Sequence, residues 1–467
     1  MPLFEKILIA NRGEIARRVI RTCKKLGIKT VAIYSEADKD TPHVSDADEA
    51  ICVGPAAAKD SYLQIDAVLA AVVSTGAKAV HPGYGFLSEK SAFASALAEK
   101  GVTFIGPPPA VLDAFGDKMK ARGVALRAET SPVPGTDEPI TIDTEEGVLQ
   151  ATKIAGDLGY PVIVKAVGGG GGIGMQIVKQ ESDLGKAFKA CSDRGKAAFA
   201  DARVYLEKYV SEPRHIEVQI FCDTHGNAYA LGERECSLQR RHQKIVEESP
   251  SPAAFFEGEE GAKRRAALHA SALRVVKSVG YVGAGTCEFI ADKEGNLYFL
   301  EVNARLQVEH PATEMVTGLD LVEWQIRVAA GEKLPDWSAM KPNGHAIEAR
   351  IYAEDPFKGF IPKPGDIEIL TWPDMPSVRV EAGVREGNKV TPYYDPMIAK
   401  VIAHGDTRAK AIQNLSEALD ATRVHPCVTN TVYLRHVLGS PEFQSGKYDT
   451  SFAEIYAKRL VAEGRTS

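Results

Sequence analysis

The sequence predicts an α/β fold, and three observations carry that prediction. Strand-period and helix-period patterns alternate through residues 1–115. Six glycines in seven residues, Gly168 to Gly174, are flanked on both sides by strand patterns rather than by linker composition. Further on, apolar and polar residues alternate strictly from Leu300 to Glu309, the pattern of a strand that buries one face and presents groups on the other.

Taken in order, Lys6–Ala10 reads as a strand, Asn11-Arg-Gly13-Glu14 as a turn, and Ile15–Leu26 as an amphipathic helix ended by Gly27. Thr30–Ser35 is the next strand. That order invites a nicotinamide-binding fold with Glu36 or Asp38 on a ribose. The turn argues against it, because one glycine cannot fill the three roles of the G-x-G-x-x-G fingerprint. His81–Glu89, with its glycines, polar groups and Tyr84, is a second loop that by itself says little. Lys118 opens the next region; a lone lysine is most often a solvated surface charge.

The glycine run follows the β-branched strand Tyr160–Ala166 and precedes the alternating strand Met175–Lys179. Glycine loses the most backbone entropy on ordering, so such a run is tolerated where main-chain N–H groups must come close to a ligand, usually phosphate. The run lacks the Gly-Lys-Ser/Thr ending and immediate helix of a P-loop. Strand, glycine loop, strand is instead the form of a flap over a nucleotide. Lys165 ends the first strand, where an ammonium can reach into phosphate space. Beyond the flap, residues 181–199 read as helix, Val204–Val210 as strand, and Arg214–Cys222 with Ala228–Cys236 as a hairpin about His225-Gly-Asn. The basic cluster Gln239–Glu248, containing His242 and Lys244, is either a solvated charge run or an anion site; it is too short, and too poor in aromatics, for nucleic acid.

Cys287–Glu309 is the most informative stretch. Asp292–Asn296 reads as a turn, and a tip at Glu294-Gly295 puts opposite one another residues whose numbers sum to 589, Glu288 across from Glu301. Two carboxylates ~5 Å apart repel by roughly 3 kcal/mol at an effective dielectric of ~20. A divalent cation reverses that sign, and Mg²⁺ suits carboxylates working beside nucleotide phosphates. On the polar face the order is Glu301, Asn303, Arg305, Gln307, Glu309. Arg305 and Gln307 could hold a small planar anion, with Glu309 beside them as a base. The residues point to an ATP–Mg site with an oxyanion substrate next to it.

Composition excludes several alternatives. Net charge is -6, which gives no electrostatic reason to expect nucleic acid or membrane partners. The seven cysteines are scattered with no C-x-x-C, as expected of reduced thiols in the cytoplasm. No apolar run is long enough to span a bilayer and Met1–Lys6 leads straight into a strand without a signal peptide, so a cytoplasmic protein is expected.

On the segments Ile9–Ala16, His81–Glu89, Lys165–Met175, Gln239–Glu248 and Glu301–Glu314, the chain resembles the biotin carboxylase component of biotin-dependent carboxylases, an ATP-grasp family. Residues 319–331 look closer to acyl-CoA carboxylase α-chains than to pyruvate carboxylase. The resemblance implies a Rossmann-like pre-ATP-grasp domain over residues 1–115, an ATP-grasp domain over 116–335 with a mobile glycine-loop lid at about 137–205, and a C-terminal α+β biotin carboxylase domain over 336–467. It also implies a homodimer. By the same resemblance Lys118, Lys165, Gly170, Gly171, Gly172, Met175, Glu207, Lys208, Val210, His215, Gln239 and His242 bind ATP, and Glu288, Glu301 and Asn303 hold Mg²⁺ or Mn²⁺. Lys244, Arg305, Gln307 and the Val308 backbone bind bicarbonate, Glu309 is the base that leads to carboxyphosphate, and Arg350 and Tyr84 serve biotin. The chain departs from the family at Ile173, where an arginine or lysine is usual.

Ala339-Met-Lys341 looks like the start of a biotinylation motif, but Pro342 follows it and the segment is a linker, so biotin is expected on a separate biotin carboxyl carrier protein, with a carboxyltransferase as further partner. From Gly344–Arg350 onward a strand, short strands and helices at about 407–421 and 429–438 complete the chain. Two other readings stay open: another ATP-grasp ligase joining a carboxylate to an amine, and a non-catalytic nucleotide-sensing subunit. The Arg305-to-Glu309 row and Arg350 are what distinguish them.

Overall fold

A computed structural model describes residues 3–140, 145–168 and 174–466. Gly170, Gly171, Gly172 and Ile173 lie outside the described residues. The N-terminal region is a five-stranded parallel sheet in the order Glu49–Cys52, Lys29–Tyr34, Lys6–Ile9, Ala79–His81, Thr103–Phe104. Helix Gly13–Lys25 follows the central strand, its Ile15, Val19, Ile20 and Cys23 packed on Ile7 and Ile9. Strand order reverses between Lys6–Ile9 and Ala79–His81, and a crevice opens at the carboxyl ends of strands at such a reversal.

An eight-stranded antiparallel sheet forms the centre, in the order Leu297–Asn303, Gly283–Ala291, Arg214–Cys222, Ala228–Arg240, Gln243–Ser249, His345–Tyr352, Met397–Gly405, Val378–Ala382. Residues on either side of the segment around 335 therefore share one sheet. Period-two alternation explains how it serves both core and site. In Arg214–Cys222, Ile216, Val218 and Ile220 pack with Leu268, Ala272 and Val275 of helix Gly258–Lys277, so the interleaved His215, Glu217 and Gln219 face the other way. The C-terminal strands pack against helices Arg408–Ala421, Thr431–Leu438 and Phe452–Ala462.

The flap is a three-stranded antiparallel sheet, Met175–Val178, Val162–Ala166, Val204–Lys208, backed by helices Glu145–Leu158 and Leu184–Phe199. Val162, Val164, Val178, Leu184, Phe188 and Leu206 give it an apolar core of its own. The cysteines form no disulfide; six are buried and Cys52 is exposed. Among the described residues no helix is long and apolar enough to cross a membrane.

Candidate active site

Two clefts flank the central sheet. The first, about 620 Å³, lies between the flap and the sheet. It is lined by Lys118, Lys165, Met175, Glu207, Lys208, Val210, His215, Gln239, His242, Glu288 and Glu301, which brings together every described residue expected at ATP and both carboxylates expected at the metal. Lys165 is hydrogen-bonded to Glu207, Lys208 Nζ donates to the Gly159 carbonyl at 2.6 Å, and Lys118 Nζ donates to Glu301 Oε2 at 2.9 Å. Arg241 and His242 form the two-residue turn between Ala228–Arg240 and Gln243–Ser249, both with positive φ (48° and 64°). Such turns normally take Asn-Gly, so the chain accepts backbone strain to aim His242 into the cleft.

Strand register sets the two carboxylates expected at a metal. Glu288 and Glu301 are opposite one another, as the sequence predicts. The rule that predicts it holds only in part: from Phe289↔Phe299 to Ala291↔Leu297 the partners are one residue off. An irregularity at Leu300 restores the register at Glu288, so the turn sits half a step from the expected tip and a bulge compensates. The expected ten-residue strand also ends early, at Asn303. Ala304–Glu309 is an extended segment and turn in which Ala304 and Leu306 are still buried, because apolar packing outlasts the ladder.

On its other side Glu288 is opposite Glu217, and Glu217 opposite Arg234, so Glu301, Glu288, Glu217 and Arg234 form one row across four strands. Arg234 is wholly buried and donates to Glu217 Oε1 (2.5 Å), Gln219 Oε1 (2.7 Å), Thr313 Oγ1 (2.8 Å), Thr286 Oγ1 (3.1 Å) and Gln307 Oε1 (3.0 Å). Gln307 in turn donates to Glu288 Oε1 at 2.9 Å. The side-chain oxygens of Glu217 and Glu288 and the His215 ring nitrogen lie within 4.8 Å of one another. Hard oxygen donors facing a nucleotide-sized cleft fit Mg²⁺ or Mn²⁺, with Glu288 and Glu301 the pair that opens onto it. Asn303 stands two pairs further along, on the same face: its Oδ1 accepts from Arg305 Nη2 (3.0 Å), and its buried Nδ2 has no hydrogen-bond partner among the described residues.

Lys244 joins the row to Glu309. Its Nζ donates to Glu217 Oε2 (2.5 Å), Glu288 Oε1 (2.9 Å) and Glu309 Oε1 (2.6 Å). Burial alone would discharge this lysine, but the three carboxylates outweigh it and hold its pKa well above the ordinary value. The converse holds for its partners. Burial favours neutral carboxyls, yet Lys244 and His215 hold Glu288 well below the usual range, and Lys244, Arg350 and Arg234 do the same for Glu309. Both are carboxylates at neutral pH.

The second cleft, about 520 Å³, opens at the strand-order reversal. Asn11 Nδ2 donates to the carbonyls of Pro82 (2.8 Å) and Tyr84 (2.7 Å), which ties the two strand ends together. Gly83, at φ 62°, allows that approach; a Cβ there would lie 2.8 Å from the Asn11 amide. Tyr84, Glu14, Arg305, Val308 and Arg350 line the cleft. Arg305 donates to Glu89 Oε2 (3.0 Å), and Arg350 Nη2 donates to Glu309 Oε2 (3.0 Å) and pairs with Glu247. Of the described site residues expected from sequence, Lys244, Asn303, Gln307 and Glu309 line neither cleft and the rest divide between the two; Lys244 grips one Glu309 carboxylate oxygen and Arg350 the other.

Glu217, Arg234, Glu89 and Glu247 hold candidate site residues in place and are absent from the sequence-based expectation. For Glu217 and Arg234 a signal was present. A hairpin tip at His225-Gly226 pairs residues whose numbers sum to 451, Glu217 and Arg234 among them, although beside the turn the partners sum to 450 and an irregularity between Ala230 and Glu233 restores the register. Glu89 and Glu247 have no comparable local signature, since their partners lie on distant strands and loops.

A flap-covered cleft with facing carboxylates, beside a buried base held by cations, defines an ATP-dependent ligase of the ATP-grasp class. Residues 3–112 match the family described as biotin carboxylase, N-terminal domain, residues 117–337 the carbamoyl-phosphate synthase L chain, ATP binding domain, and residues 348–454 the biotin carboxylase C-terminal domain. The chain belongs to the biotin carboxylase family. Biotin carboxylase of Halalkalibacterium halodurans is 49% identical over 99% of this chain and 100% of its own length. The propionyl-CoA carboxylase alpha chain of Ruegeria pomeroyi is 49% identical over 97% of this chain and 68% of that protein. The biotin carboxylase domain dimer of Hydrogenobacter thermophilus 2-oxoglutarate carboxylase, solved with MgADP, ADP and bicarbonate, superposes with a TM-score of 0.91 at 43% identity, covering 98% of each chain.

Proposed function

We propose that this chain carboxylates biotin carried on a separate carrier protein, using ATP and bicarbonate, as the first half-reaction of an acyl-CoA carboxylase. The observation that carries the reading is the position of Glu309, bonded to Lys244 toward the nucleotide-sized cleft and to Arg350 toward the second cleft. A base between two substrates is what a reaction needs when it activates bicarbonate against ATP and hands the carboxyl group to another acceptor.

ATP occupies the first cleft, with Lys118, Lys165 and His215 toward the phosphates, Glu207 and the Val210 backbone at the adenine, and Met175 in its wall; Gly170, Gly171 and Gly172 also bind it. Glu288 and Glu301, with Asn303 beside them, would hold Mg²⁺ or Mn²⁺; when bound, the ion neutralises phosphate charge. Bicarbonate sits on Lys244, Arg305, Gln307 and the Val308 N–H. As Lys244 and Arg350 turn from Glu309 toward their substrates, the carboxylate loses part of the stabilisation that depresses its pKa and becomes a stronger base. Glu309 takes the bicarbonate proton, a bicarbonate oxygen bonds to the γ-phosphorus, and the bond to ADP breaks. The carboxyphosphate formed splits to CO₂ and phosphate, and phosphate accepts the N1 proton of biotin as N1 bonds to CO₂. Arg350 offsets the negative charge on the biotin ureido oxygen, with Tyr84 walling the same pocket. Lid closure keeps water from the carboxyphosphate. The reading includes a homodimer and a partner carboxyltransferase. Phosphate release assayed with and without bicarbonate and free biotin tests it; release indifferent to bicarbonate would overturn it.

A further inference from the structure

The turn that presents Glu309 is closed at Gln307, whose carbonyl accepts from the His310 N–H (3.3 Å) and lies 2.6 Å from His310 Nδ1, but neither contact holds the Glu309 side chain. Glu309 makes no side-chain cap on helix His310–Thr317, and the strand ladder ends six residues earlier at Asn303. Three cations grip the turn from outside: Lys244 holds Glu309 Oε1 at 2.6 Å, and Arg350 and Lys400 act from the neighbouring strands. Arg350 and Lys400 are register partners on adjacent strands, so their side chains share a sheet face. Arg350 Nη2 holds the Glu309 carboxylate at 3.0 Å, and Lys400 Nζ donates to the Val308 carbonyl at 2.8 Å. Lys400 has no exposed surface, and such a charge persists only where it is compensated. Its counter-ion is Glu14 Oε2 at 3.2 Å, buried at the start of helix Gly13–Lys25. The other Glu14 oxygen accepts the hydroxyl of Tyr84, in the wall of the second cleft.

We propose that Lys400, with Glu14 as its counter-ion, is a positioning residue: it fixes the Val308 carbonyl and thereby the direction in which Glu309 meets bicarbonate. The proposal rests on Glu309 being the base. A purely structural tie would not need these charges, since a buried ion pair adds little net stability over an apolar pair of the same shape. A donor aimed at the carbonyl just before the base does need an N–H or O–H group at that point, and Lys400 supplies it. Through Glu14 the same donor is joined to Tyr84, so the base and the acceptor pocket share one support.

The test is the double variant Glu14→Gln, Lys400→Met, which removes both charges of this pair together. ATP–Mg affinity and melting temperature should stay close to the parent, while kcat for bicarbonate- and biotin-dependent phosphate release falls by about tenfold or more and bicarbonate KM rises. Lys400→Arg, which keeps a donor and a charge, should recover most of kcat in an otherwise parent chain. Should the double variant not fold, Glu14→Gln alone serves: it keeps an acceptor for Tyr84 but loses the counter-ion, and kcat should fall with ATP KM unchanged. A folded variant with parent kcat and bicarbonate KM would overturn the positioning role, as would Lys400→Arg being as impaired as the double variant. Parent protein whose phosphate release ignores bicarbonate would overturn the proposed function itself, and the positioning role with it.

Discussion

Lys244 Nζ and Glu309 Oε1 are 2.6 Å apart, and the same ammonium lies 2.5 Å from Glu217 and 2.9 Å from Glu288. One cation thus links Glu288, the wholly buried Glu217 and Glu309, the proposed base. Replacing Lys244 with Met leaves three clustered carboxylates short of a partner, a change that costs about 3–5 kcal/mol when buried charges lose their mate. The expected outcome is a clear drop in melting temperature together with loss of bicarbonate saturation. An unchanged melt would contradict the electrostatic account of the cluster.

Glu309→Gln keeps the size of the side chain and an oxygen for Arg350 but removes the base. ATP binding, measured by titration, should match the parent because Glu309 does not line the nucleotide cleft. Bicarbonate-dependent phosphate release should fall by about 10²-fold or more. Parent-level turnover would rule Glu309 out.

Acid stability should report Glu248. Burial alone would raise its pKa, but His345, at 2.6 Å, and Arg408, bonded to both its oxygens, hold it at about 2. A depressed carboxylate stabilises the fold above its unfolded value, near 4.5, and that contribution is lost as pH falls toward 2. The full contribution is on the order of 3 kcal/mol. Glu248→Gln should therefore lower the melting temperature at neutral pH and flatten its decline between about pH 4.5 and 2. Parallel parent and variant curves over that window would contradict the assignment.

The flap has its own apolar core, and strands Val162–Ala166 and Met175–Val178 supply Ile163, Lys165, Met175 and Gln176 to the first cleft. ATP–Mg bound beneath it should slow amide hydrogen exchange in both strands, with no comparable change in Lys6–Ile9. Exchange in the two strands that ignores ATP–Mg would sink the lid reading.

How far the molecule was legible from sequence differs by element. The parallel N-terminal sheet, the flap and the pairing of Glu288 with Glu301 follow from local period and turn residues. The end of the ladder at Asn303 was not legible, because Ala304 and Leu306 keep the apolar alternation by packing rather than by strand pairing. Nor was the bulge at Leu300, which changes register without changing composition. Arg350 entered through the family resemblance alone. Lys400 and Glu14 sit at opposite ends of the chain and meet only through tertiary structure, so no window of residues carries the signal of their pairing.

The most direct test of the central claim is phosphate release from ATP–Mg by the purified chain, followed as bicarbonate and free biotin are each withheld. The account predicts release that requires bicarbonate and is stimulated severalfold by biotin, with carboxybiotin formed alongside. Release at the same rate without bicarbonate would contradict it.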